Sequence, residues 1–235
     1  MKRFIYILVP AVALLVSSCD AFENMKVLEE HPVKESVEGF VQSKADAEKV
    51  MFSCYRELKQ YYNYSRYYHT ICETLTDYCK GTGSYESASL FEGLDPTLNE
   101  RAANVWAHLY RCVRFANSIL LNLPYASEMT EGEKLEIEAE ARFLRAYAYQ
   151  YLAQCWGPVP FPTEKNMNTA GEYYFPRTPV ETIYEEGVED LKFAASNLPG
   201  TQALIGRATR DAAATALCYS YLLLKDYANA AAAAK

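Results

Sequence analysis

Apolar residues return at steps of three and four along most of the chain, in stretches broken by glycine and proline, and this periodicity predicts an all-α protein. The strongest stretch runs from Leu135 to Trp156. Ile137, Ala141, Leu144, Ala148, Tyr151, Leu152 and Cys155 form one apolar stripe, and Ala139, Phe143 and Tyr147 form a second beside it. A helix with two faces to bury lies between neighbours. Alanines at 139, 141, 146, 148 and 153 leave little bulk, so partner helices approach to the near end of roughly 8–10 Å. Glu138 and Arg142 stand four apart in the favourable order for an ion pair on the wet edge. The stop is equally marked: Gly157 supplies a left-handed cap, Pro158 denies the helix another residue, and Pro160 and Pro162 hold the exit extended.

The remaining elements follow in order. A helix begins near Ser43, with Ala47, Val50, Met51, Cys54, Tyr55 and Leu58 on one face, and an aromatic cluster of Tyr61, Tyr62, Tyr64, Tyr67 and Tyr68 around Arg66 continues it. A short helix is expected over Tyr68–Cys79. From Gly81 to Asn99, three glycines, a proline and many small polar residues predict a loop. Helical spacing returns from Leu98 to Leu123 and closes at Pro124. After the proline-rich exit, Glu164–Pro179 reads as an insertion ending in a Thr178 cap and Pro179 at the first helical position. Val180–Leu198 is the next helix. Finally, a helix to Leu224, a Lys-Asp turn and a second helix from Tyr227 resemble a tetratricopeptide unit, which stacks as helix pairs.

The order F-L-R-A-Y-A-Y (143–149), long apolar helix, then W-G-P-V-P-F-P-T-E (156–164) resembles the signature of the SusD/RagB family of outer-membrane nutrient-binding lipoproteins. W-A-H-L-Y-R-C-V-R-F-A-N (106–117) is similar to the helix that precedes it in SusD-like chains, with Trp106, Tyr110 and Asn117 at recurrent places and expected to pack and cap. The resemblance implies tetratricopeptide-like repeats with long inserted loops. It also implies a glycan ligand and a partner, a SusC-like TonB-dependent transporter on which such proteins sit as a lid. It covers nearly all of the chain after residue 19 but only the N-terminal part of the family fold. The apolar ending at Lys235 is therefore read as a truncation.

The start of the chain changes the picture of location. Lys2 and Arg3 precede an apolar run from Phe4 to Val16, too short to span a bilayer. Val16-Ser17-Ser18-Cys19 resembles a lipobox, so residues 1–18 are expected to be a signal peptide and Cys19 the acylated N-terminus, a stable anchor when multiply acylated. Residues 19–43 are read as a tether and 44–235 as the helical domain. Half of the residues are apolar, which excludes a disordered chain. Formal charge is −7, and losing the two leader cations leaves −9, with no footprint for nucleic acid. Twenty tyrosines against two tryptophans and ten phenylalanines suit both helix packing and stacking on ligands.

Catalytic and cofactor signals are lacking. Gly81-x-Gly83 has Glu86 where a third glycine belongs and follows no strand, so no dinucleotide cofactor is expected. His31, His69 and His108 are isolated, and Cys72 and Cys79 have no second cluster, so no metal is expected. Cys54, Cys112, Cys155 and Cys218 fall on apolar faces as buried free thiols. Glu136 and Glu140, the only pair to suggest a surface glycosidase, read as part of a solvated face with Arg142 and Arg145. The protein is expected not to be an enzyme. A tetratricopeptide scaffold binding protein segments is the alternative. For a sugar, which offers an apolar face and a rim of hydroxyls, the 77–99 segment supplies Tyr85 or Phe91 to stack and Asp77 or Asn99 to hydrogen-bond. In SusD-like proteins the corresponding segment contributes to the glycan site, though the tryptophans often used there are absent, which argues against a starch-like ligand. Equally, Phe91 and Leu94 would serve to pin the loop onto the helices.

Overall fold

The computed structural model describes residues 39–60, 63, 66–92, 95–167 and 175–235, and residues from Gly39 onward form one compact unit. Helices α1 (Lys44–Lys59), α2 (Tyr67–Thr74), α3 (Glu86–Ser89), α4 (Pro96–Asn122), α5 (Glu131–Trp156), α6 (Val180–Asn197), α7 (Arg210–Leu223) and α8 (Tyr227–Ala233) carry the fold. Among the described residues the only sheet is two residues on each side, β1 (Val159–Pro160) antiparallel to β2 (Arg177–Thr178). The fold is all-α, as the periodicity requires.

Helix starts follow local chemistry. Ser43 accepts from the Asp46 amide while the Asp46 carboxylate accepts from the Ser43 amide, a reciprocal cap that satisfies two otherwise orphaned donors. Thr130 and Glu133 do the same for α5, which therefore begins four residues before Leu135. Asp95 caps α4, whose first residue is Pro96. Gly157 ends α5 at φ 69°.

Packing is a row of neighbours: α1 lies on α4, α4 on α5, α5 on α6, α6 on α7 and α7 on α8. The centre of the row is α5, buried on both stripes from Ile137 to Ala153. Close approach at its alanines is what allows α4 and α6 to flank it.

Two buried ionic networks fix this row. Arg145, 4% exposed, donates to both oxygens of Asp190 on α6 at 2.8 and 2.9 Å and to Asn117 Oδ1 on α4 at 3.0 Å, and it pairs with Glu164 beyond the exit. Burial works against its charge, but hydrogen bonding and charge from Asp190 and Glu164 win, and its pKa is raised. Asn117 in turn donates to the Pro162 carbonyl at 2.8 Å, as Tyr149 does at 2.6 Å, and Tyr110 donates to the Pro160 carbonyl at 2.7 Å. Trp106 packs against Tyr110 and edge-on against Trp156. The signature thus converts a proline-rich exit, whose carbonyls lack helical partners, into a satisfied surface of α4 and α5. The second network centres on Glu140, fully buried, which accepts from Tyr55 at 2.6 Å and from Arg207, itself bonded to Glu48 at 3.0 Å.

Several expectations are corrected. Glu140 and Arg145 do not lie on a solvated face, because each is neutralised by a partner far along the chain. Thr178 does not cap α6: it pairs with Val159 in the small sheet, and Pro179 occupies the cap position without a side-chain bond. Cys155 is exposed and Cys218 half-buried, whereas Cys54 and Cys112 are buried as expected. His108 is not isolated, since its Nδ1 lies 2.7 Å from Glu57. The second helix ends at Thr74 rather than Cys79. Tyr61, Tyr62 and Tyr64 of the aromatic cluster lie outside the described residues.

Candidate functional site

Between α2 and α4 the chain is folded more tightly than a simple loop. A 3-10 turn at Gly83–Tyr85 leads into the single turn of α3. Gly81 is required at its root, because a Cβ there would lie 2.2 Å from the Tyr85 carbonyl oxygen, and its amide donates to Ser89 Oγ at 2.6 Å. Arg101, on the second turn of α4, reaches back to donate to the Ser84 carbonyl at 2.8 Å and to Ser84 Oγ at 2.6 Å. The same guanidinium lies 3.8 Å from the centre of the Tyr85 ring. Asp95 accepts from Leu98 and from Ser87 Oγ, tying the far end of the segment to the start of α4. Tyr85, Ala88 and Leu98 form a small core of their own beside Ile71.

The four residues expected to meet a ligand are distributed unevenly on this scaffold. Tyr85 is buried beneath Arg101, with its hydroxyl enclosed and unpartnered among the described residues. Phe91 is the opposite: it is 72% exposed and held at φ 53°, a left-handed conformation that a bulky side chain rarely takes. Asp77 and Asn99 are both exposed, Asp77 in the turn after α2 and Asn99 in the first turn of α4. Among the described residues no hydrogen bond joins them. Leu94, the other proposed pin, lies outside the described residues, and the exposure of Phe91 leaves it no part in pinning. Sequence reasoning missed Tyr78, 80% exposed, whose hydroxyl donates to the Glu73 carboxylate. Its signal was available: an aromatic residue beside Asp77, past the end of a helix, with no apolar period to bury it.

A second concavity, an open groove of about 990 Å³, runs between α1, α5 and α7 under the turn at Leu204–Ala208. Phe52, Leu58, Phe143, Tyr147, Ile205 and Ala216 give it largely apolar walls. Lys59, Gln150, Thr215 and Tyr219 add polar groups to these walls. Among the described residues no cluster of three histidine, cysteine or acidic side chains is placed to hold a metal.

The described residues thus form a row of packed helices with an aromatic-bearing insertion after the second helix. Residues 26–222 match the family SusD-like_3, described as starch-binding and associating with the outer membrane, and the chain belongs to this SusD-like family. SusD-like protein P25 of Formosa agariphila is 30% identical over 221 residues, covering 85% of this chain and 40% of its own. A SusD homolog from Bacteroides thetaiotaomicron superposes with a TM-score of 0.72 at 22% identity, over 87% of this chain and 42% of that one. A structure solved with a xylogluco-oligosaccharide has a TM-score of 0.64 at 28% identity, over 75% of this chain and 34% of its own. The chain spans between 24% and 40% of the curated relatives it matches.

Proposed function

We propose that this protein is a surface-facing glycan-binding lipoprotein of the outer membrane that hands oligosaccharides to a SusC-like TonB-dependent transporter, without catalysing a reaction on them. The observation that carries the binding role is Phe91: an exposed ring in a strained backbone conformation, on a segment braced by Arg101, Asp95 and Gly81, in a chain of SusD-like sequence. Such strain at an exposed position fits a role outside the fold. The relative solved with a xylogluco-oligosaccharide supports an oligosaccharide as the ligand class.

In this reading Phe91 and Tyr78 supply the stacking faces, and Asp77 and Asn99 supply the polar partners. Tyr85 acts beneath them, its ring clamped by Arg101 so that the segment keeps its shape. The helical row is a set of tetratricopeptide-type pairs, and it offers the transporter a rigid face. Residues 1–18 are a signal peptide, Cys19 carries the lipid, residues 19–43 form the tether and 44–235 the helical domain; Cys19 and most of the tether lie outside the described residues.

Affinity electrophoresis of the full-length protein in gels containing xyloglucan, or another glycan that retards it, tests the site. Phe91→Ala and Asp77→Ala should each lose most of the retardation while leaving the far-ultraviolet circular dichroism unchanged. Retardation equal to wild type in both variants would remove this segment from the site. Fatty-acid labelling that persists in Cys19→Ala would remove the anchor.

A further inference from the structure

We propose that Cys72 and Cys155 form a redox-active dithiol that closes to a disulfide and ties α2 to the last turn of α5. The two helices meet here through a ring contact. Tyr68 meets Tyr151 edge-on with ring centres 4.9 Å apart. Cys72 and Cys155 each lie four residues, about one helical turn, further along the same faces. One turn beyond that ring contact, the two thiols are near enough for each to shift the pKa of the other. Cys155 is exposed and Cys72 half-buried, so a reagent can reach both. The other close pair, Cys54 and Cys112, is fully buried, and each thiol already donates to a backbone carbonyl, of Cys112 and Leu144 respectively.

The pair is also chemically unequal. A hydrogen bond from the Cys155 thiol, with a further one from Tyr68, lowers the Cys72 pKa to about 7 against the opposing pull of burial and of Glu73. The same contact raises that of Cys155. Cys72 is therefore the attacking thiolate and Cys155 the resolving thiol. With an external disulfide as oxidant, the Cys72 thiolate attacks one oxidant sulfur, forms a mixed disulfide and releases the first thiolate. Cys155 then gives its proton to that thiolate and displaces the second, which takes up from water the proton that Cys72 had released on ionising. The protein loses two hydrogens and gains one S–S bond, and the oxidant is reduced to two thiols.

The tie falls where it has an effect. α2 is held mainly through α4, and the segment bearing Asp77, Tyr78 and Phe91 hangs from its end. Closing the bond fixes one root of that segment to the longest-buried helix, while Asp95 fixes the other.

The full chain is incubated with oxidised glutathione, alkylated with N-ethylmaleimide, digested and analysed by mass spectrometry without reduction. A peptide pair joined through Cys72 and Cys155 is expected, with Cys54 and Cys112 alkylated only after unfolding. In Cys155→Ser, glutathione should accumulate on Cys72; in Cys72→Ser, Cys155 should stay largely unmodified. Recovery of Cys72 and Cys155 as separate alkylated or glutathionylated peptides overturns the proposal, as does a cross-link from Cys72 to Cys79. In the cross-linked protein, trypsin should cleave after the exposed Lys80 several-fold more slowly than in the reduced protein, and equal rates would refute the stiffening of the segment.

Discussion

Replacing Arg145 by methionine should unfold the protein at a markedly lower temperature. Methionine fills much of the volume but carries no charge, so the substitution leaves Asp190, 7% exposed, and Glu164 facing a buried space with no bidentate partner. Arg142, 3.6 Å from Asp190 and already engaged with Glu138, offers partial compensation. Removing one member of a buried ion pair costs about 3–5 kcal/mol, because the remaining charge is uncompensated. In a domain of this size each kcal/mol moves the midpoint by about 2–4 °C, so a fall of roughly 6–20 °C is expected. Part of the loss should appear at the exit, since Asn117 holds both Arg145 and the Pro162 carbonyl. Thermal unfolding followed by circular dichroism measures the first effect, and the rate of cleavage after Lys165 measures the second. Lysine at 145 should recover less than half of the loss, for it cannot present two parallel donors to Asp190. A midpoint within about 2 °C of wild type for Arg145→Met would be well below the range that a broken buried pair requires, and would show that the network is not what fastens the row.

Gly81→Ala should lower stability by about 1–3 kcal/mol, the range for forced overpacking, because its Cβ meets backbone rather than a movable side chain; chemical denaturation reads it. Phe91→Gly should leave the melting temperature equal or slightly higher, by relieving a left-handed phenylalanine, while abolishing the retardation by glycan that stacking gives; a clear fall in melting temperature would show the ring to be packed. Asp46 is held at about 2, below its usual 3.8, by hydrogen bonds from Lys49 and Ser43. Its folded pKa is depressed, so its contribution is complete above about 4 and is lost as pH falls through about 2; the stability gap between wild type and Asp46→Asn should narrow across that window and stay constant above pH 5.

Much of this was written in local sequence and some was not. Helix ends marked by Ser43, Pro124, Gly157 and the Lys225-Asp226 turn could be read because the residues that cap or stop a helix sit within a few positions of it. Glu140 was misjudged because its neutralising cation, Arg207, lies 67 residues away, and no helical spacing announces a partner on another element. Cys155 belongs to an apolar stripe, yet it is exposed while Leu152 and Ala153 just before it are buried. Thr178 had the right neighbour for a cap, yet its backbone was claimed by Val159. For the candidate site, composition located the segment but did not rank its aromatics. Tyr85 and Phe91 lie six positions apart among similar residues, and what separates them is that Arg101 covers one ring while the other stays exposed.

The pairing of Val159 with Thr178 gives the proline-rich excursion after α5 the character of a replaceable cassette. Its two ends are held at adjacent backbone positions by β1 and β2, with Arg177 also donating to the Pro158 carbonyl at 2.8 Å. Whatever lies between them starts and finishes at the same place. Lengthening such a closed excursion is inexpensive, about 0.6 kcal/mol for each doubling, provided that Pro162 and Glu164, held by Asn117, Tyr149 and Arg145, keep their places. The stretch between Glu164 and the second strand is therefore the part that can change in length and chemistry while the helical row beneath keeps its fastenings.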